Sequence, residues 1–187
     1  GKSSSSAGSA KCSACGAGQF SDVMGANLCK DCGKGRYRDS NVDPVVACAD
    51  CPAGFYQNSA GSAKCTVCGA GQFSNVVGAE DCQNCAQGQY QAGNNNNNNN
   101  SSGGNNTSPG VACDACPAGF YQDAEGQAAC LPCIPGEFGN ETGLLQCHKC
   151  AIGKVSAGQN STSCLDCEAG KSSSSAGSAK CSACGAG

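Results

Sequence analysis

The chain has 187 residues, of which 20 are cysteine and 28 glycine, with no tryptophan, one histidine and a net charge of -3. Leu, Ile, Val and Phe together make up about 11% of it, below the roughly 20% under which a chain ordinarily cannot bury enough surface to fold. Cysteine, also at about 11%, marks a scaffold held by cross-links, so the arithmetic argues against a packed-core enzyme.

No basic run offers nucleic acid an electrostatic footprint. No stretch approaches the ~20 apolar residues of a membrane helix. No secretory leader is legible either, as expected of a chain that starts inside a repeat.

The cysteines form ten C-x-x-C pairs: Cys12/Cys15, Cys29/Cys32, Cys48/Cys51, Cys65/Cys68, Cys82/Cys85, Cys113/Cys116, Cys130/Cys133, Cys147/Cys150, Cys164/Cys167 and Cys181/Cys184. Successive pairs begin 17 residues apart, save a step of 19 from Cys29 to Cys48 and one of 31 from Cys82 to Cys113. A fixed period of this size is the signature of a repeat array.

Three residues after every second cysteine stands a glycine, from Gly18 to Gly187. Two residues further comes an aromatic in seven repeats: Phe20, Tyr37, Tyr56, Phe73, Tyr90, Tyr121 and Phe138. Val155 and Ser172 hold that place in the next two. A second glycine stands four residues before a pair at Gly8, Gly25, Gly61, Gly78, Gly126, Gly143 and Gly177, and Asn160 replaces it once. Both positions read as turns, because Asn is the side-chain-bearing residue that best tolerates positive φ.

In chain order, residues 1–11 belong to a preceding repeat and 12–64 form a first triplet of repeats. Residues 65–129 form a second triplet with an Asn-rich insertion at 93–110, and 130–180 a third. Residues 181–187 begin the next superperiod, since 1–18 recur unchanged at 170–187. Each repeat predicts a short strand around its aromatic (GFYQ at 54–57, for example), then a turn and a return to the next cysteine. Helix is not expected, because Gly or Pro interrupts every repeat. The expected fold is small, disulfide-rich and irregular β: an extended, solenoid-like rod of hairpins of about 17 residues, each relying on its neighbours for burial.

Thioredoxin-like redox chemistry needs one C-x-x-C at a helix N-terminus, and ten copies without helices do not fit it. Paired C-x-x-C motifs also make four-cysteine zinc sites, but the 13-residue gap is short for a zinc ribbon. His148, the lone histidine, reads as a surface residue and not a ligand. Structural disulfides are the favoured reading.

Translational repetition leaves two tilings. The simplest joins each second cysteine to the first of the next pair: Cys15–Cys29, Cys32–Cys48, Cys51–Cys65, Cys68–Cys82, Cys85–Cys113, Cys116–Cys130, Cys133–Cys147, Cys150–Cys164 and Cys167–Cys181. Cys12 and Cys184 would then bond to neighbouring repeats. The rival pairs adjacent repeats in parallel, Cys12–Cys29 with Cys15–Cys32, and leaves no cysteine over.

The run CDACPAGFYQDAEGQAACLPC, Cys113 to Cys133, resembles the ephrin-receptor-like cysteine-rich repeat of extracellular proteins. It is similar, too, to the first small module of tumour-necrosis-factor-receptor cysteine-rich domains, and more loosely to EGF-like modules. CP-x-G-x-Y, best kept at Cys51 and Cys116, is the most specific element. The resemblance implies secretion, disulfides within each hairpin and a stalk or adhesive role. It implies no kinase.

Asn140 and Asn160 open N-x-[ST] sequons in expected turns, and Asn99, Asn100, Asn105 and Asn106 open four more in the low-complexity insertion. Ser3–Ser6 and Ser172–Ser175 are acceptors for O-glycans or plain polar turns. No catalytic constellation, metal site or cofactor is expected, covalent glycans apart. The sequence therefore predicts a glycosylated extracellular structural protein of a filament, appendage or stalk, partnered by further copies of the array, with no nucleic acid. A ligand-binding ectodomain is the alternative, and a cytosolic zinc array the third reading.

Overall fold

In the computed structural model, residues 2–3, 13–21, 28–39, 47–93 and 110–185 are described. Cys12 and the sequons at Asn99, Asn100, Asn105 and Asn106 lie outside them. The described residues hold ten two-stranded sheets, each joining strands consecutive in the chain, and no helix. Every strand among them has two residues. Phe55–Tyr56 pairs antiparallel with Thr66–Val67, for instance, and Phe120–Tyr121 with Leu131–Pro132.

The local sequence accounts for this brevity. The residue after each second cysteine opens a β-turn: Pro117 O accepts from Phe120 N at 3.1 Å, and Pro52 O from Phe55 N at 3.1 Å. The glycine at the third turn position takes positive φ, 85° at Gly119 and 86° at Gly54, as a type II turn requires. The first strand follows, carrying the aromatic. The return strand is the x-x of the next C-x-x-C pair, a place the sequence pattern had left to the cysteines alone. Residues three apart across a strand point to opposite sides, so one cysteine of each pair closes the hairpin just made and the other opens the next.

Two compact units result: Gly1–Gln83 with Thr107–Ala112, and Asn84–Asn106 with Cys113–Gly187. Within each, the same hydrogen bonds lock a hairpin to its successor. In the first unit Gly18 N donates to Arg38 O at 2.8 Å and Gly35 N to Gln57 O at 2.7 Å. In return, Gly61 N donates to Cys32 O and Gly78 N to Cys51 O, at 2.8 and 2.7 Å. In the second unit Gly88, Gly119, Gly136 and Gly153 donate to Gln122, Gly139, Ser156 and Ser173, at 2.7 to 3.0 Å.

Within each unit a closer constraint links hairpins two places apart. A Cβ on Gly18 would overlap the carbonyl of Gly61, and one on Gly35 that of Gly78. In the second unit the same overlap joins Gly88 to Gly143, Gly119 to Asn160, and Gly136 to Gly177. Turn glycines thus serve twice, for positive φ and for contact with backbone.

The core is sulfur. Cys32, Cys51, Cys68, Cys85, Cys116, Cys133 and Cys150 are fully buried, and among the described residues only Ala79 and Leu144 join the cysteines as buried apolar side chains. The aromatics are half-buried, each beside its cross-strand partner.

Gly136→Ala and Gly143→Ala separate the two roles of the turn glycine. Both have positive φ, but a Cβ at Gly143 meets only ordinary contacts, none nearer than 3.8 Å. Gly143→Ala should cost about 1–2 kcal/mol for the backbone alone. Gly136→Ala must also displace the Gly177 carbonyl and should cost about 3–4 kcal/mol. Hydrogen exchange of amides in the affected hairpins measures both.

Candidate functional site: the bridged hairpins and their surface

Among the described residues, nine bridges join the second cysteine of one pair to the first of the next, from Cys15–Cys29 to Cys167–Cys181. Their Cα–Cα distances of 5.6 to 5.8 Å lie where disulfides are commonest. The parallel tiling is not adopted: Cys15 meets Cys29, while Cys32 turns away toward Cys48. Cys85–Cys113 closes across the long insertion. Cys184 is free and exposed.

The bridges are asymmetric. Each second cysteine from Cys15 to Cys150 is buried, whereas the first cysteines from Cys29 to Cys181 keep partial exposure. The inner sulfurs form the core while the outer ones face the loops.

One recurring position escaped the sequence pattern. The residue after the aromatic position, which Val155 and Ser172 occupy in two repeats, is buried and polar in Arg38, Ser74, Gln91, Gln122, Ser156 and Ser173, each 3 to 4% exposed. Such side chains spend their polar atoms on loop backbone that two-residue strands cannot satisfy. Gln122 Nε2 donates to Ala129 O at 2.8 Å while its Oε1 accepts from Ala124 N at 3.1 Å. Ser156 and Ser173 hydroxyls donate to Gly158 O and Ser175 O at 3.4 and 3.2 Å. Arg38 instead reaches the preceding turn, donating from one nitrogen to Cys15 O, Gly16 O and Gln19 O. The recurrence of Gln and Ser after an aromatic was the available signal.

Gly139 breaks the column, and Leu144 fills the gap. A Cβ at Gly139 would come 2.8 Å from Leu144 Cδ1, and Leu144 also makes a parallel bridge with Tyr121.

The outer faces carry cross-strand pairs. Arg36 meets Asp50 at 2.7 Å, Lys154 meets Asp166 at 2.6 Å, and Gln19 donates to Asp31 at 3.0 Å. Such exposed ion pairs contribute ~1 kcal/mol at most. His148 is exposed, its ring 5.6 Å from that of cross-strand Phe138. An open groove of about 530 Å³ runs beside it, lined by Tyr121, Asp123, Glu137, Leu145, His148 and Lys149. Burial, then the carboxylate of cross-strand Asp114, push the Tyr90 phenol above its ordinary range.

Among the described residues no group of three or more His, Cys, Asp or Glu side chains is placed to hold a metal ion. No helix among them is long and apolar enough to cross a membrane. Both described sequon asparagines, Asn140 and Asn160, are exposed.

Gln122→Ala strips two loop backbone groups of their partner and should cost about 1–2 kcal/mol. Gln159→Ala, at an exposed loop position, should change stability by less than about 0.5 kcal/mol. Chemical denaturation with the disulfides intact compares the two.

Comparison with curated proteins returns no match. The sequence does match the family described as tyrosine-protein kinase ephrin type A/B receptor-like, over residues 1–42, 43–81 and 104–150. Those segments span more than half of the chain. On this match, and on hairpins each closed by a bridge between consecutive C-x-x-C pairs, the chain belongs to the ephrin-receptor-like cysteine-rich family.

Proposed function

We propose that the chain is a structural component of an extracellular filament, appendage or surface stalk. One observation carries the reading: the contacts holding each hairpin to its neighbours repeat with the same atoms along each compact unit. Gly126, Gly143, Asn160 and Gly177 donate in turn to Cys85, Cys116, Cys133 and Cys150. A chain built on one interchangeable joint suits continuation more than a single unique site. Bridges this dense and the family match support an oxidising, extracellular setting.

On this reading the protein is no enzyme and needs no cofactor. Its partners are further copies of the array, in one chain or between chains, and it meets no nucleic acid. A ligand-binding ectodomain is the second reading, favoured by the open groove beside Tyr121 and His148.

Electron microscopy of native material, labelled with antibody against the chain, tests the proposal. Label repeating along filaments or stalks is the expected result. Label confined to discrete, non-filamentous particles would contradict it and favour the ectodomain.

A further inference from the structure

Asn160 occupies a position that the fold otherwise gives to glycine. At the corresponding loop position Gly61, Gly78, Gly126, Gly143 and Gly177 all have positive φ. Asn160, at 58°, is the only non-glycine residue with positive φ among the described residues. Its backbone does the work of those glycines. The N–H donates to Cys133 O at 3.0 Å, and the carbonyl sits where a Cβ on Gly119 would fall. Nothing in that work calls for a side chain. The residue is exposed, and its carboxamide makes no hydrogen bond to another described residue.

Asn tolerates this backbone better than other side-chain-bearing residues, and because the turn itself makes no use of the carboxamide, the side chain is left available for a use outside the turn. The neighbouring residues indicate which. Asn160-Ser161-Thr162 is an N-glycan acceptor motif. The Ser161 hydroxyl is engaged with Gly158 O at 3.0 Å, while Thr162, the motif's hydroxyl residue, is exposed. Asn140, the other described sequon, shows no such departure from ordinary backbone.

We infer that Asn160 is a glycan attachment site, and that its carboxamide is retained in a glycine position for that purpose. The donor is an oligosaccharide joined to a lipid pyrophosphate. Nδ2 of Asn160 attacks the sugar C1, so an N–C1 bond forms and the C1–oxygen bond to pyrophosphate breaks. The amide proton passes to a base of the transferase and the lipid pyrophosphate leaves. No group is oxidised or reduced. The sugar projects from the turn while the backbone keeps its contacts with Cys133 and Gly119. The inference rests on the extracellular reading, because the donor is met on the secretory route.

The test expresses the full chain through a eukaryotic secretory route, alkylates it without reduction, and releases N-glycans with an amidase in heavy-oxygen water. Peptide mass spectrometry should find labelled aspartate at position 160, and Thr162→Ala should reduce that label to background. Asn160→Gly should lose the glycan yet keep or raise hydrogen-exchange protection of the Gly119 and Cys133 amides. Unlabelled Asn160 in a chain whose bridged cysteines resist alkylation would overturn the inference and leave the extracellular reading standing. Cysteines alkylated throughout would overturn both. Protection lost in Asn160→Gly would also overturn it, by showing that the side chain itself holds the turn.

Discussion

The bridge from the second cysteine of each pair to the first of the next is the contact on which every other feature of this chain depends. It fixes a hairpin too short to persist alone, since two paired residues per strand supply little. Its inner sulfur then serves as core where Leu and Ile are missing. In the chain-entropy account, closing a loop of about 15 residues contributes ~3 kcal/mol, and the terms do not simply add. Bridges alone would give beads on a string. What orders the beads is the glycine at turns such as Gly18, Gly35, Gly88, Gly119 and Gly136, whose missing Cβ lets the backbone of the hairpin two places on come into contact.

The two devices are mutually dependent. A turn glycine reaches the facing carbonyl only because the bridge holds the hairpin closed at its base. The buried half-cystine is covered only because neighbouring hairpins stack over it. Polar side chains after the aromatics then settle the loop backbone that short strands leave unpaired, so the interior tolerates Arg38 and Gln122 where most proteins place leucine. The hairpins remain alike because any large departure must be matched by a neighbour, as Leu144 matches Gly139.

Much of this is legible in the cysteine period and the glycine offsets. Both are strictly local signals: a turn that demands positive φ declares itself as Gly, and once as Asn160, wherever it recurs. Contacts between hairpins are less legible. The next-but-one contact joins Gly136 and Gly177, two recurring glycines that the sequence marks only as separate turns, and Gln122, though buried, looks like an ordinary polar loop residue. The aromatic was the conspicuous repeat, yet the residue behind it is the one buried. Pairing of the x-x dipeptide as a strand was hidden by the motif around it, which draws attention to the cysteines.

Non-reducing peptide mapping by mass spectrometry tests the bridging scheme most directly. The account predicts that every cross-linked peptide joins a second cysteine to the first cysteine of the next pair, as in Cys116–Cys130 and Cys133–Cys147. Peptides joining Cys116 to Cys133, or free thiols at those positions, would contradict it.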